Sequence, residues 1–406
     1  MSNVLIVPER NEKLKPLNVV ERGLKSKSVD EVYIVDGWST DGTVPLLKRQ
    51  IPKLQKKYKK KIKIFYSELR NTGKGGAMIT GMKRVLHNNH SKILFLDPDI
   101  TSSTPEWCDE LVDGIDKYNI DMCRGHFDRA PFDAQITRHV TRPLINMFFP
   151  KSKGIKQPLG GELCLTRELT KHLVNHIIAP PHTWGIDTFF TVVTIRGNYK
   201  IGEQYLAQKA YNKKSLAELR PIAIECFDEA AKLIYYKKRY LKIPKFKESL
   251  VRQLPYSQKI KKAGDDIKKV RYVNLDYEIE MFLGYVKTLI ANGQITLTRI
   301  NNIPLSKFED RTLILDLLRT KSTDDFKEKS KFLTRNEWVR VLNTLVRKFI
   351  HFNFKKNYYE LYYLLWMLRS LSFCLNEAKT FKEAEENTQK QAELAFAFGQ
   401  SKDIVL

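Results

Sequence analysis

Four short strand-like runs recur in the first hundred or so residues, each followed by a loop of glycine, proline or polar residues and then by a helix-like stretch. Val4-Leu5-Ile6-Val7 leads into Pro8-Glu9-Arg10-Asn11-Glu12, and residues 30–36 end in Asp36 before the turn residues Gly37–Thr43. Lys61–Tyr66 leads into Arg70-Asn71-Thr72-Gly73-Lys74-Gly75-Gly76, and Ile93-Leu94-Phe95-Leu96 into Asp97-Pro98-Asp99. Apolar runs that do not alternate read as strands buried on both faces of a mostly parallel sheet. Strand, loop and helix repeated in this way predict a doubly wound α/β domain. Such sheets bind ligands outside the carboxyl ends of their strands, which is where these loops fall.

The fourth run carries the sharpest signal. Pro98 has no amide hydrogen and a fixed φ, so the strand stops near it. Asp97 and Asp99 are then left at the carboxyl end of a central strand. Two carboxylates one residue apart suit a hard divalent cation that also binds a substrate diphosphate. A turn with two solvated acids satisfies the same tripeptide. The helix after the third strand is predicted from about Ala77 to Leu86. The loop before it is not a Walker A loop, because no glycine stands at the required distance from a Gly-Lys-Ser/Thr. No Gly-x-Gly-x-x-Gly follows the first strand, so the dinucleotide fingerprint is absent too.

A chain of 406 residues, 42% apolar and 29% charged, can bury a large core and is not a disordered one. Its net charge of +24 favours anionic partners without naming one. Part of that charge lies in the runs Lys56–Lys61, Tyr235–Tyr240 and Lys259–Arg271. Solvated helix faces fit these runs, and binding to nucleic acid or an anionic membrane fits them too; no nucleic-acid motif accompanies them, and no nucleic-acid partner is expected. Five cysteines, odd in number and with no Cys-x-x-Cys, give neither a zinc site nor a disulfide framework. The first strand begins at once, leaving no room for a signal peptide. Leu361–Leu375 contains Arg369 and reads as a core helix, so no membrane span is expected and a cytoplasmic enzyme is the default. Beyond about residue 232 glycine becomes sparse and helical spacing dominates, in Leu275–Ala291, Asn336–His351 and Tyr358–Leu375. The expected organisation is a catalytic domain over 1–232, a basic connector over 233–274 and a helical region over 275–406 serving packing or homo-oligomerisation.

Three further stretches carry polar chemistry. Asp133, Thr137 and Thr141 fall at i, i+4 and i+8, on one face of a predicted helix that Arg129 precedes. A guanidinium grips a carboxylate, and Asp or Thr binds hydroxyls, which suits a small hydroxy acid. A helix with a structural ion pair fits the same residues. Gln157-Pro158-Leu159-Gly160-Gly161-Glu162-Leu163 has paired glycines that let backbone approach a ligand. In Trp184-Gly185-Ile186-Asp187-Thr188 an aspartate enters the apolar segment Phe189–Ile195, which is costly unless it is hydrogen-bonded. Asp187 is therefore either a site residue or the N-cap of that segment.

In order and spacing these stretches resemble the GT-A nucleotide-sugar glycosyltransferases, and specifically the mannosylglycerate synthase family, glycosyltransferase family 78. Gly73-Lys74-Gly75, Asp97-Pro98-Asp99-Ile100-Thr101, Phe132–Thr137, Gln157–Leu163 and Trp184–Thr188 carry the resemblance, and Lys209-Ala210, Leu216–Arg220 and Glu225-Cys226-Phe227 extend it. It covers residues 1–232 and continues weakly through Leu275–Glu278. The related glucosyl-3-phosphoglycerate synthases share the Gly-Lys-Gly, Asp-x-Asp and Gln-Pro-Leu-Gly-Gly-Glu motifs, and Ser39-Thr40-Asp41 resembles theirs slightly better.

The resemblance implies an α/β GT-A domain with a helical C-terminal extension. It implies retaining transfer of mannose, or glucose, from a GDP-sugar such as GDP-mannose to the 2-hydroxyl of D-glycerate, giving the compatible solute mannosylglycerate; transfer to 3-phosphoglycerate is the runner-up. It also implies that Pro8, Arg10 and Glu12 line the nucleoside pocket and that Lys74 contacts the donor. Asp97 would touch ribose or sugar, Asp99 would hold Mg2+ or Mn2+, and Leu159, Gly160 and Gly161 would face the donor sugar or the acceptor. Arg129, Asp133 and Thr137 would hold the acceptor, and Asp187 would contact the transferred sugar. The family places a metal-binding histidine where this chain has Tyr211, after Lys209-Ala210. A phenol with a pKa of about 10 is a poor magnesium ligand at neutral pH, which puts metal affinity in question. Lys213 and Lys214, just beyond, could meet a phosphate instead. A sugar-nucleotide pyrophosphorylase and a non-catalytic basic binding protein are the readings from other classes.

Overall fold

The apolar runs of the N-terminal half become neighbouring strands of one sheet, and the loops that follow them gather along its carboxyl edge. The computed structural model describes residues 2–70, 72–211, 214–240, 248–260, 274–293, 319–320, 322–330, 333–351, 353 and 357–401. Two units interleave along the chain. The first comprises Met1–Asp128, Lys151–Asn212 and Glu248–Lys268; the second comprises Arg129–Pro150, Lys213–Lys247 and Lys269–Leu406.

The first unit is built on eight strands, β1 (Ser2–Glu9), β2 (Glu31–Asp36), β3 (Lys61–Tyr66), β4 (His90–Phe95), β5 (Met122–Asp128), β6 (Leu163–Thr166), β7 (Ile201–Gln208) and β8 (Val251–Gln253), in the order 3-2-1-4-6-5-7-8. The sheet is mixed: β6 runs antiparallel to both β4 and β5, and every other pair is parallel. Its helices are α1 (Lys15–Lys25), α2 (Thr43–Tyr58), α3 (Lys74–Leu86), α4 (Pro105–Tyr118), α6 (Arg167–Val174) and α7 (Ile186–Arg196). One layer of the core joins Leu5, Val7, Ile34 and Leu94 of the strands to Val19, Val20, Leu47, Trp107 and Leu111 of the helices. The outer strand β3 buries Ile62 while Lys61 and Lys63 face solvent, a charged edge that resists pairing with another chain.

Three local readings are corrected. The helix predicted from Ala77 begins at Lys74, so Gly75 and Gly76 lie in its first turn. The segment 181–183 crosses over them: Gly75 donates its N–H to the Thr183 carbonyl and Gly76 to the His182 carbonyl, each at 3.1 Å. A Cβ at Gly75 would stand 2.2 Å from the Pro181 carbonyl oxygen, so the glycines here admit protein backbone. Asp187 is not an N-cap; it lies within the first turn of α7. The connector contains β8, which pairs with β7 and was too short to show in the sequence pattern.

The second unit is helical. A π-helical turn, Thr137–Thr141, runs into α5 (Arg142–Phe148), followed by α8 (Arg220–Tyr240), α9 (Leu275–Ala291), α10 (Thr323–Lys329), α11 (Arg335–His351), α12 (Asn357–Asn376) and α13 (Phe381–Gln400). Helix α8 crosses the 232/233 position. Residues 241–247 and 261–273 of the proposed connector, with most of the Lys259–Arg271 run, lie outside the described residues. Helix α12 is the core helix expected of Leu361–Leu375: Trp366 is fully buried, and Arg369 is neutralised by Glu377 and donates to the Leu333 carbonyl at 2.9 Å and to Gln391 at 3.0 Å. All five cysteines are buried. Among the described residues no helix is long and apolar enough to cross a membrane.

At the ends of β1 and β2, Glu9 and Asp36 are register partners and both are buried. Burial, reinforced by Asp36, pushes the Glu9 carboxyl up to about 10. The folded protein therefore binds this proton more tightly than the unfolded chain does. The resulting stability is complete below the unfolded value of 4.5 and is lost as pH rises toward 10. Between pH 5 and pH 7 the loss is on the order of 3 kcal/mol. Glu9→Gln mimics the protonated form and should not show it. Urea unfolding at the two pH values should bring the wild type down relative to the variant by that amount; parallel behaviour would mean that folded Glu9 is ionised.

Candidate active site

Five side chains of the first unit converge at the carboxyl end of β4. Asp97 follows that strand, Lys74 opens α3, Glu162 precedes β6, Asp187 lies in the first turn of α7 and Lys209 follows β7. The Lys74 ammonium lies 2.9 Å from Asp97 Oδ1 and 3.0 Å from Asp187 Oδ2. The Lys209 ammonium lies 2.9 Å from Asp97 Oδ2 and 2.6 Å from Glu162 Oε1. Each Asp97 oxygen thus faces a cation. Burial alone would raise the Asp97 carboxyl, but Lys209 and Lys74 outweigh it and hold the group far below the usual carboxylate range. Burial would likewise strip the Lys74 proton, and the charges of Asp187 and Asp97 reverse that, raising its affinity for the proton. For Glu162 burial prevails over Lys209 and pushes the carboxyl up.

The glycine pair lies against this network. A Cβ at Gly161 would stand 2.3 Å from Asp97 Oδ1 and 2.6 Å from the Lys74 ammonium, and one at Gly160 would stand 3.1 Å from the Arg124 side chain. The Lys74 ammonium also lies 5.5 Å from the centre of the Trp184 ring. Among the described residues, Asp187 Oδ1 is buried with no hydrogen-bond partner, so one acceptor of the site is still available.

Asp99 is the candidate metal ligand. Burial and the neighbouring Asp97 push its carboxyl up, with Glu12 adding to the repulsion. Around Asp97, two ammonium groups face the carboxylates of Asp97, Asp99, Glu162 and Asp187. That local excess of carboxylate suits a divalent cation. Among the described residues no cluster of three or more His, Cys, Asp or Glu could form an all-protein cage. Magnesium does not need one, since one or two carboxylates with substrate phosphates and water suffice. Asp99 fits that mode. The Tyr211 ring has the Lys209 ammonium 5.6 Å from its centre.

Nearby on the same unit, Pro8 is buried at the end of β1 and Arg10 donates to the Thr72 carbonyl at 3.3 Å, beside the glycine–lysine loop. Glu12 pairs with Lys15 at 2.6 Å and borders a cavity of about 770 Å3 with Asn11, Lys13, Leu14, Leu17, Asn18 and Gln50. Glu162 and Lys209 were read in the sequence only as parts of motifs. An acid entering the apolar strand Leu163–Thr166 is the signal that would have singled out Glu162, as it did Asp187.

In the second unit, Arg129 pairs with Asp133 at 3.1 Å, and both side chains are almost fully buried. The single helix face expected for Asp133, Thr137 and Thr141 is not formed. Asp133 sits in a turn, its Oδ1 accepting the Ala134 N–H at 2.7 Å, and Ala134 has a φ of +56° that no helix allows. Thr137 and Thr141 then begin and end the π turn, whose wider spacing removes the i, i+4 alignment.

The sheet order, the Asp-x-Asp at the end of β4 and the lysine-bracketed carboxylate define a GT-A-type α/β protein. The model of the family described as mannosylglycerate synthase, GT domain, matches residues 9–232, and the chain belongs to that family. It is 32% identical over 208 residues to a mannosylglycerate synthase of Rhodothermus marinus, a match covering 49% of this chain and 52% of that protein. The chain therefore spans about half the length of that relative. It is 26% identical over 314 residues to a mannosylglycerate synthase of Selaginella moellendorffii, covering 76% and 68% of the two chains. Among solved structures, glucosyl-3-phosphoglycerate synthase from Mycobacterium tuberculosis in complex with phosphoglyceric acid matches at 20% identity and a TM-score of 0.46, over 57% of this chain and 80% of that one.

Among the described residues, Lys74→Met removes one of Asp97's two cations and the one cation paired with Asp187. Breaking a buried pair from one side costs about 3 kcal/mol or more. Urea unfolding should show that loss; a variant as stable as the wild type would mean that the pair does not form.

Proposed function

We propose that the chain is a retaining hexosyltransferase that moves mannose, or glucose, from a GDP-sugar to the 2-hydroxyl of D-glycerate. The observation that carries the reading is Asp97 bracketed by Lys74 and Lys209, with the Gly161 backbone pressed against it, in a chain of the mannosylglycerate synthase family. Lys74 and Lys209 fix Asp97 as an anion that accepts ribose or sugar hydroxyls. The small residues at 160 and 161 let the donor sugar approach the backbone, and Pro8, Arg10 and Glu12 line the nucleoside end. Asp187, tied to Lys74 through Oδ2, has Oδ1 free to accept a sugar hydroxyl and to stabilise positive charge developing on the ring.

Asp97 has an ammonium on each oxygen and so presents no unencumbered nucleophile, and the free Oδ1 of Asp187 is read as orienting the sugar. The reading is front-side attack, in which the acceptor hydroxyl passes its proton to the leaving phosphate. A divalent ion held at Asp99 would supply Lewis-acid neutralisation of the diphosphate, and Tyr211 would leave that position to water. Arg129 and Asp133 with Thr137 would take the acceptor's carboxylate and hydroxyl. The runner-up acceptor, 3-phosphoglycerate, rests on the Lys213-Lys214 pair, of which Lys213 lies outside the described residues.

The deciding experiment incubates the protein with GDP-mannose, GDP-glucose or UDP-glucose against glycerate or 3-phosphoglycerate and reads product mass. Mannosylglycerate is the expected product; nucleotide sugar made from a sugar phosphate, or no product with any pair, overturns the reading. Asp99→Ala should abolish transfer, and excess EDTA should do the same to the wild type. Tyr211→His should lower the metal concentration for half-maximal rate, more for manganese, which accepts imidazole more readily. Full activity in EDTA with no effect of Tyr211→His would reject the metal. Arg129→Ala should raise the acceptor KM by the equivalent of roughly 1.5–3 kcal/mol, and an unchanged KM would remove Arg129 from the acceptor site.

A further inference from the structure

Arg124 is fully buried in β5, and among the described residues no carboxylate stands within ion-pair distance of it. Its NH1 donates to the Pro158 carbonyl at 2.5 Å, to the Thr191 hydroxyl at 2.5 Å and more weakly to the Gln157 carbonyl at 3.4 Å. Its register partner on the adjacent strand is Glu203, also fully buried. Glu203 accepts the backbone N–H of Gln157 at 2.7 Å through Oε1 and that of Lys156 at 2.8 Å through Oε2. A cation thus takes the carbonyls of one short backbone segment while a neighbouring anion takes its amides. The two charges offset each other across the segment instead of pairing directly.

The same guanidinium reaches the catalytic helix. Thr191 accepts from Arg124 and donates to the Pro158 carbonyl at 2.7 Å, with the Asp187 carbonyl one turn back at 3.1 Å. The Arg124 stem also lies beneath Gly160, 3.1 Å from where a Cβ would stand. Arg124 therefore touches the loop that carries Gly160 and Gly161, and through Thr191 the helix that carries Asp187. Burial lowers its hold on the proton, and among the described residues its Nε and NH2 make no hydrogen bond, so the fold carries this charge at a cost. A structural loop anchor needs no cation there, since a neutral donor would bind the same carbonyls.

We propose that Arg124, with Glu203 opposite it and Thr191 as its link, is a positioning residue that locks the 156–161 backbone and Asp187 into one rigid unit around the donor sugar. The inference rests on the hexosyltransferase reading for its substrate but on geometry for the clamp. It makes the separation between Gly161 and Asp187 a property of one side chain, and small misplacement of such groups is costly to the chemical step.

The test uses the full chain with Thr191→Val, which keeps the shape and removes the hydroxyl, beside Arg124→Lys and Glu203→Gln. Amide hydrogen exchange across 156–162 should quicken about tenfold in each folded variant. The value of kcat per folded molecule should fall about tenfold or more, while GDP binding stays within about threefold of wild type, because only the sugar end is displaced. Affinity for GDP-mannose relative to GDP should fall in parallel. Unchanged loop exchange in Thr191→Val would overturn the clamp. Faster exchange with wild-type kcat and wild-type sugar-dependent affinity would overturn its positioning role. If the wild type glycosylates neither acceptor, the substrate reading fails, and loop exchange with the GDP-mannose to GDP affinity ratio still decides the clamp.

Discussion

A half-buried aspartate with a cation on each oxygen governs the rest of the first unit. Asp97 is held as an anion in this partly desolvated site because Lys74 and Lys209 each face one of its oxygens. Those lysines come from the start of α3 and the end of β7, so helix and strand must both terminate at the same point above the sheet. Each lysine then needs a second carboxylate to offset its own burial, and Asp187 and Glu162 supply it. The order of the strands around β4 follows from the same demand. Inserting the antiparallel β6 between β4 and β5 brings Glu162 to the mouth of the site from the strand's amino end, whereas its parallel neighbours contribute from their carboxyl ends.

This network also sets what can bind beside it. Two ammonium groups cannot neutralise the surrounding carboxylates and a nucleoside diphosphate as well. Nor does the start of α3 act as a free anion cradle, since the N–H groups of Gly75 and Gly76 are already taken by the carbonyls of Thr183 and His182. Asp99, destabilised as an anion by burial and by Asp97, is where an added cation relieves most repulsion. Magnesium accepts water in place of protein ligands, so a single carboxylate beside a substrate phosphate suffices for such a site.

The strands were legible where an apolar or alternating run met a turn: β3, which alternates lysine with isoleucine, matches its predicted bounds, and Leu275–Ala291 is helical over the full predicted span. Asp97, Asp99 and Asp187 stood out because a charged residue at an apolar boundary is costly, and the cost shows in one dimension; Lys74 stood out only through the family resemblance. Glu162, Lys209, Arg124 and Glu203 did not stand out in the same way. Their partners are remote in sequence, Lys209 and Asp97 being 112 residues apart, and no periodicity records a pairing made across a sheet. The start of α3 and the turn at Asp133 were misread for a related reason. Gly75 and Gly76 look like a flexible loop but answer to a crossing segment, and Ala134 adopts a left-handed φ that its side chain does not advertise.

The charge of the whole chain and the charge of the site have opposite signs, and the two act at different ranges. A net +24 sets up a field that draws anions toward the protein, with a reach of about 10 Å at ordinary ionic strength. Within the site, carboxylates outnumber the two lysines, so the final approach of a diphosphate is unfavourable without a compensating cation. Attraction at long range combined with a local excess of carboxylate would, on the proposed reading, separate capture from commitment: anions gather readily, and one that brings a divalent cation would settle against Asp97 and Asp99. Raising ionic strength should therefore slow capture, whereas removing metal should act on the bound state, and the two effects belong to different parts of the same charge distribution.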